Sequence, residues 1–185
     1  EEFLFPITSN GLAAGPSPHE AVLNAISEVL ERDAFLISWL HRLPGHPFKA
    51  CEHPDVSVRR LARLYERRGI RLALIHLKMD HPMCVFMGVA LQDDASDGPS
   101  ATVGLGAAID TAAAARKAAI EVGQVRPSIR RRARLVSPKR VQELAANPLG
   151  AKTMEDHALL YAHPSTAQEF DFLFGEPQTW TKREP

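Results

Sequence analysis

The sequence predicts a mixed α+β domain in which a β-sheet packs against amphipathic helices. Three observations lead there: a capped helical period from Pro18 to about Leu40, two apolar runs of strand length at 70–78 and 83–91, and a small-residue run at 101–108 followed by an alanine-rich helix.

The elements follow in order. Phe3 to Thr8 is a short apolar run that ends in the turn residues Ser9, Asn10 and Gly11, so a strand entering a tight loop is expected. Ser17-Pro18-His19-Glu20 marks a helix start, with Ser17 as cap, Pro18 in the first turn and Glu20 closing a capping box. His41 to Pro54 holds Pro44, Gly45, Pro47 and Pro54 and reads as a loop. Val58, Leu61, Ala62, Leu64 and Tyr65 recur at helical spacing between a capping Asp55 and Gly69, which predicts a second helix. The runs at 70–78 and 83–91, split by Asp80-His81-Pro82, predict a hairpin, and Ala101 to Ala108 a further strand. Asp110 caps the alanine-rich helix, predicted to end near Gln124. Beyond it, Arg126 to Arg140 carries seven basic residues and no acid, a pattern that reads as a solvated linker or salt-bridging segment. Short helices are predicted after Ser137, at Met154 to Tyr161 and at Ser165 to Phe174.

Composition narrows the function classes. The chain has 185 residues, 22 Lys+Arg against 22 Asp+Glu, and 45% hydrophobic residues. That length suits one domain over residues 1–185, and the balanced charge argues against a nucleic-acid-coating protein. No run approaches the ~18 apolar residues of a membrane span. Two cysteines, Cys51 and Cys84, make no disulfide framework. A cytoplasmic protein with no membrane or nucleic-acid partner is the expectation. The opening Glu1-Glu2-Phe3-Leu4-Phe5 reads like the middle of a strand, so a fragment lacking its N-terminal part is expected.

Two constellations carry chemistry. On a wheel at ~100° per residue, Val22, Ile26, Val29, Leu30 and Ile37 share one side of the first helix, which predicts its core face. Glu20, Asn24, Glu28 and Glu31 line the other. Glu28 and Glu31 point the same way and Arg32 stands beside them, which is the equipment of a Mg2+–nucleotide site: hard oxygens for the metal and a guanidinium for phosphate. By spacing alone a solvated helix face is the simpler reading. On the alanine-rich helix, Arg116, Glu121 and Gln124 repeat the theme, with Lys117 adjacent. Elsewhere, His46, Cys51 and His53 lie close enough in sequence to open a zinc site, but a loop with incidental polar residues fits better. Cys84 reads as a core thiol, His76 and His81 as histidines flanking a turn, and Trp39 and Trp180 as packing residues.

The string Thr8-Ser9-Asn10-Gly11-Leu12-Ala13-Ala14-Gly15, followed by Glu20-Ala21 and by Glu28-Val29-Leu30-Glu31-Arg32-Asp33-Ala34-Phe35, resembles the YcaO family. The run Gly104-x-Gly106-Ala107-Ala108, then Ala115-Arg116-Lys117-Ala118 and Glu121-x-x-Gln124, resembles that family's next motif, in the same order. The resemblance covers roughly Phe3 to Gln124. It implies an ATP-using enzyme that phosphorylates a peptide backbone amide, as in the modification of ribosomally synthesised peptides, with cyclodehydration to an azoline or thioamide formation as the result. It also implies ATP and Mg2+ as cofactors. Glu28 and Glu31 would bind the metal, Arg32 and Arg116 would contact phosphates, and Glu121 and Gln124 would complete the cofactor-binding set; no catalytic residue is implied.

Three departures qualify it. Pro16 stands where many members have Asn, the chain ends in Lys182-Arg183-Glu184-Pro185 rather than a Pro-x-Pro-x-Pro tail, and no acidic motif precedes the Ser-Asn-Gly loop. The tail leans toward thioamide formation with a TfuA-like partner. A leader-peptide-binding partner and a homodimer are further expectations. The missing motif predicts that the isolated chain is folded but holds only about half of a working site. The alternative is a non-catalytic YcaO-like module that binds peptide or assists assembly.

Overall fold

The computed structural model describes residues 9–92 and 98–176. The strand expected at Phe3 to Thr8, Trp180 and the tail at 182–185 lie outside the described residues. A four-stranded antiparallel sheet in the order β1-β2-β3-β4 forms the centre: β1 His46–Lys49, β2 Arg71–Leu77, β3 Cys84–Leu91 and β4 Ala101–Ala108. Three long helices cover it, α1 Pro18–Leu40, α2 Val56–Glu66 and α3 Thr111–Leu135, and two short ones follow, α4 Pro138–Ala146 and α5 Met154–Leu159. A 3-10 segment, Pro164–Leu173, returns to the sheet.

Alternation along the strands sorts the core into two layers. Leu72, Leu74, Phe86 and Ala90 face α2 and α3, where Val58, Ala62, Tyr65 and the alanines of α3 meet them. Ile75, Leu77, Val85 and Met87 face the other way, onto Ala34 of α1 and onto Phe170 and Leu173. The central strands are buried on both faces, so their sequences run almost continuously apolar. Trp39 anchors the second layer as a packing residue, its ring against Tyr161, Phe170 and Phe172 at 5.2–5.6 Å.

α3 lies exceptionally close to β3 and β4. Gly88 and Gly104 are cross-strand partners, and Gly106 is two residues on. A Cβ on Gly104 would stand 2.5 Å from the Val122 nitrogen and 2.7 Å from the Ala118 oxygen. Ala114, Ala115, Ala118 and Ala119 complete the contact from the helix side and are fully buried. The alanine run therefore exists to bring two backbones together, and any side chain that projects from α3 sideways is delivered to the rim of β4.

Four expectations need correction. Most of the apolar stripe of α1 does not face the core: Ser27, Ala34 and Ser38 do, and of the stripe Leu30 packs beside them, while Val22, Ile26 and Val29 are about half exposed. Small residues win this face because the helix lies close to the sheet, and Ser27 Oγ satisfies itself on the Leu23 carbonyl at 2.7 Å. The 41–54 segment is not all loop, since β1 pairs His46–Lys49 with Ala73–His76; Pro47 is tolerated because β1 is an edge strand. The alanine-rich helix runs eleven residues past Gln124, through Pro127, to Leu135. Pro127 deprives the Gly123 carbonyl of its donor, but tertiary contacts carry the helix onward, for Arg126 is buried on Thr102 and Gln92 and Ile129 and Ala133 pack with Leu144 and Leu159. Finally, the Glu20 carboxylate does not close a capping box on the Ser17 backbone; it accepts the Ser17 hydroxyl at 3.0 Å, while that oxygen accepts the Glu20 N–H at 3.3 Å.

Candidate functional site

β4 is the last strand of the sheet among the described residues, so its outer backbone groups need partners from elsewhere. α3 packs on one face of the sheet and α1 on the other. Glu121, on the flank of α3, accepts the Leu105 N–H at 2.9 Å. Lys117, one turn earlier, donates to the Ala107 carbonyl at 2.9 Å. Glu31 comes round from α1 to the same edge. Burial raises its carboxyl from 4.5 to about 7, Glu121 adds to the rise, and Lys117, the Ala107 amide and Arg32 act against it. The edge of β4 is thus the spine on which two carboxylates and one ammonium are assembled from opposite sides of the sheet.

The other predicted residues fall as follows. Glu28 lies one turn before Arg32 and is bound by it, with Arg32 Nη2 and Nε at 3.0 and 3.1 Å from Glu28 Oε1. Glu28 and Glu31, expected to point the same way, are therefore split: Glu28 is matched by Arg32, and like-charge repulsion acts between Glu31 and Glu121. Gln124 is exposed on α3, one turn beyond Glu121. Arg116 does not join the cluster; it pairs with Asp55, the cap of α2, at 2.8 Å. Lys117 takes the cationic place beside the carboxylates. Its spacing, four residues before Glu121, was the available signal, since residues four apart share a helix face.

The loop before α1 is held to the same helix. Asn24 Nδ2 donates to the Ala14 carbonyl at 3.0 Å, and Gly15 lies so close to Glu20 and Ala21 that a Cβ would stand 2.6 Å from the Ala21 nitrogen. The acidic stripe from Glu20 to Glu31 therefore runs from this loop to the edge of β4.

No three His, Cys, Asp or Glu side chains gather closely enough to hold a metal ion among the described residues. His53, one of the zinc candidates, is buried as a structural link: Nδ1 accepts the Asp55 N–H at 2.9 Å and Nε2 bonds the Ala112 carbonyl at 3.0 Å. Cys51 is exposed, and half-buried Cys84 donates to the Ile109 carbonyl at 3.5 Å. The Glu31–Glu121 pair, by contrast, suits Mg2+, an ion usually held by one or two carboxylates together with phosphate oxygens. Burial is the main cause of the raised Glu31 carboxyl, and the Glu121 repulsion that adds to it is what a divalent cation would relieve.

A family model described as YcaO cyclodehydratase, ATP- and Mg2+-binding, matches residues 1–185. A protein of Rhizobium leguminosarum bv. trifolii from the tfuA 3′ region is 30% identical over 96 residues, 50% of this chain and 23% of its own length. A solved heterocyclase in complex with substrate and cofactor is 25% identical with a TM-score of 0.63, covering 88% of this chain and 22% of that one. The YcaO protein of Methanopyrus kandleri bound with AMPPCP and Mg2+ is 20% identical with a TM-score of 0.64, over 97% of this chain and 42% of that one, and shares the fold. The chain spans about a third or less of the curated relatives it matches. An ordered motif pair, a sheet edge dressed with carboxylates and a family match over the full sequence converge: this chain belongs to the YcaO family, whose ligands are ATP and Mg2+.

Proposed function

We propose that this chain forms one wall of a Mg2+–ATP site in an enzyme that activates a peptide backbone amide. The observation that carries the reading is the meeting of Glu31 and Glu121 around the β4 edge with Lys117 beside them. Glu31 and Glu121 would hold Mg2+, with Glu28 supplying a further carboxylate once Arg32 turns to phosphate. Bound Mg2+–ATP supplies the phosphoryl group that makes the amide oxygen a leaving group. The work of this chain is alignment and charge neutralisation, which is most of what phosphoryl transfer asks of a protein. Lys117 and Arg32 offset negative charge at the rim. Gln124 offers an uncharged hydrogen-bonding group at the exposed flank of α3.

The product follows from what attacks the activated carbon: a Cys, Ser or Thr side chain of the peptide gives an azoline, and external sulfide gives a thioamide. The tfuA neighbourhood of the Rhizobium relative supports the thioamide outcome and a TfuA-like partner. Dependence on ATP favours a cytoplasmic location.

Calorimetric titration of Mg2+–ATP into the intact enzyme tests the site. Glu31→Ala and Glu121→Ala should each weaken binding by about tenfold or more, equivalent to ~1.4 kcal/mol. Lys117→Met should cost more than Arg116→Met, because Arg116 is committed to Asp55. Unchanged affinity in both carboxylate variants would reject this assignment of the site, and absence of Mg2+–ATP binding by the parent would leave the non-catalytic, peptide-binding module as the reading.

A further inference from the structure

Gly11 to Gly15 lies along α1 as an extended strap. Gly11, in the left-handed region at φ 75°, sits against Val29, where a Cβ would stand 3.1 Å from Cγ2. The Ala14 carbonyl accepts the Asn24 side-chain amide at 3.0 Å, and Gly15 rests on the backbone of Glu20 and Ala21. The strap therefore runs antiparallel to the helix, from the level of Val29 down to that of Ala21. Those eight residues of helix rise about 12 Å, and four residues of strap span at most about 13–14 Å. The strap has almost no slack, so fixing one point in it fixes the rest.

Bare glycine contacts seat the two ends, and Asn24 holds the stretch between. Asn24 also belongs to the acidic stripe, one turn before Glu28 and two before Glu31. The strap thus passes beside the carboxylates, and it presents mostly backbone there: its one large side chain, Leu12, is 78% exposed. Small residues in such a place let a ligand approach the main chain closely. An amide suits the post at 24. It donates to the carbonyl, as an aspartate could not, and it adds no charge to a stripe whose carboxylates already repel.

We propose that Asn24 is a positioning residue of the Mg2+–ATP site: by holding the Ala14 carbonyl it sets the level of the strap beside Glu28, so that strap and carboxylates meet the nucleotide as one rigid lip. The inference rests on the Mg2+–ATP reading given above. Asn24 is exposed, and a hydrogen bond at the surface adds little to global stability, so its loss loosens the strap without unfolding the domain.

The test compares the intact enzyme with Asn24→Leu, which removes the donor at similar size, and Asn24→Gln, which restores an amide. Hydrogen exchange without nucleotide should show the amides of residues 11–15 exchanging about threefold or more faster in Asn24→Leu, with the melting temperature unchanged. Calorimetry should show Mg2+–ATP binding about threefold or more weakly to Asn24→Leu, with Asn24→Gln recovering most of the loss in both measurements. A parent that binds Mg2+–ATP while Asn24→Leu binds it equally well overturns the role of Asn24 alone, as does unchanged exchange in the strap or an Asn24→Gln variant no better than Asn24→Leu. A parent that binds no Mg2+–ATP overturns the reading beneath it.

Discussion

Glu31 and Glu121 approach each other around the edge of β4 although their helices pack on opposite faces of the sheet. The pair has a measurable signature. A carboxyl that titrates at about 7 in the fold and at 4.5 in the open chain holds its proton more tightly when folded. Its contribution to stability is complete below pH 4.5, declines as pH rises, and is gone above about 7. Glu31→Gln keeps the shape without the charge. It should match the parent in urea melts at pH 4.5 and exceed it at pH 8 by on the order of 1–2 kcal/mol, after allowance for solvent screening. Carbon NMR of Glu31 in Glu121→Gln should show the midpoint moving back toward the ordinary carboxylate range.

The closeness of α3 to β4 sets a second expectation. Gly104→Ala and Gly106→Ala would each drive a methyl group into the helix backbone, at under 3 Å from Ala118 atoms. Because backbone cannot rotate away, each should lose about 3 kcal/mol or more in chemical denaturation. Gly123→Ala is the contrast. Its nearest neighbour is a Leu61 methyl at 3.6 Å and it lies within α3, so it should hold stability or gain about 1 kcal/mol.

Arg126 is 5% exposed, and its guanidinium donates to Thr102 Oγ1 at 3.2 Å and to Gln92 Oε1. Arg126→Met preserves length and apolar volume but leaves buried polar atoms on Thr102 and Gln92 without that donor. A loss of about 2–4 kcal/mol is expected in thermal or urea unfolding. Arg131→Met, at an exposed position on the same helix, should change stability by less than about 0.5 kcal/mol.

His53 predicts an acid limb. Burial holds its imidazole below the usual 6.5, and its neutral form is the one that accepts the Asp55 N–H. A depressed base contributes stability that is present above the unfolded value and lost as pH falls through the folded one. Between pH 7 and pH 5, where protonation of Glu31 works in the opposite direction, His53→Gln should therefore lose less stability, or gain more, than the parent in urea melts. A variant with the parent's pH dependence would assign the acid limb to other groups.

The fold was legible wherever local chemistry decides: the Ser17 and Asp110 caps, the strands at 71–77, 84–91 and 101–108, and the end of α2 before Gly69, whose φ of 67° suits glycine. It was illegible where distant contacts overrule pattern. Hydropathy on a wheel favours Val22, Ile26 and Val29 for the core, but the face of α1 turned to the sheet centres on Ser27, Ala34 and Ser38, with Leu30, Phe35 and Trp39 packing beside them. Pro127 and the arginine run argue for a helix end near Gln124, yet the pockets that receive Arg126 and Ile129 are built from β3, β4, α4 and α5, which no local window contains. At the candidate site, motif spacing found Glu31 and Glu121 but paired Glu31 with Glu28. Only the sheet edge, which brings 31 beside 121, reveals which repulsion matters, and only the geometry moves the cation from Arg116 to Lys117.

The carboxylate on the Leu105 N–H has a consequence for how the protein behaves in a crowded solution. An outer strand with bare amides is a template for another chain's strand and hence for aggregation. Here Glu121 and Lys117 already occupy the Leu105 donor and the Ala107 acceptor, and an incoming strand would have to bury their charges. Replacing both by apolar residues would therefore do more than empty a candidate site. It would leave β4 open to edge-to-edge pairing, so the same side chains proposed to grip a cation also keep the molecule from joining its neighbours.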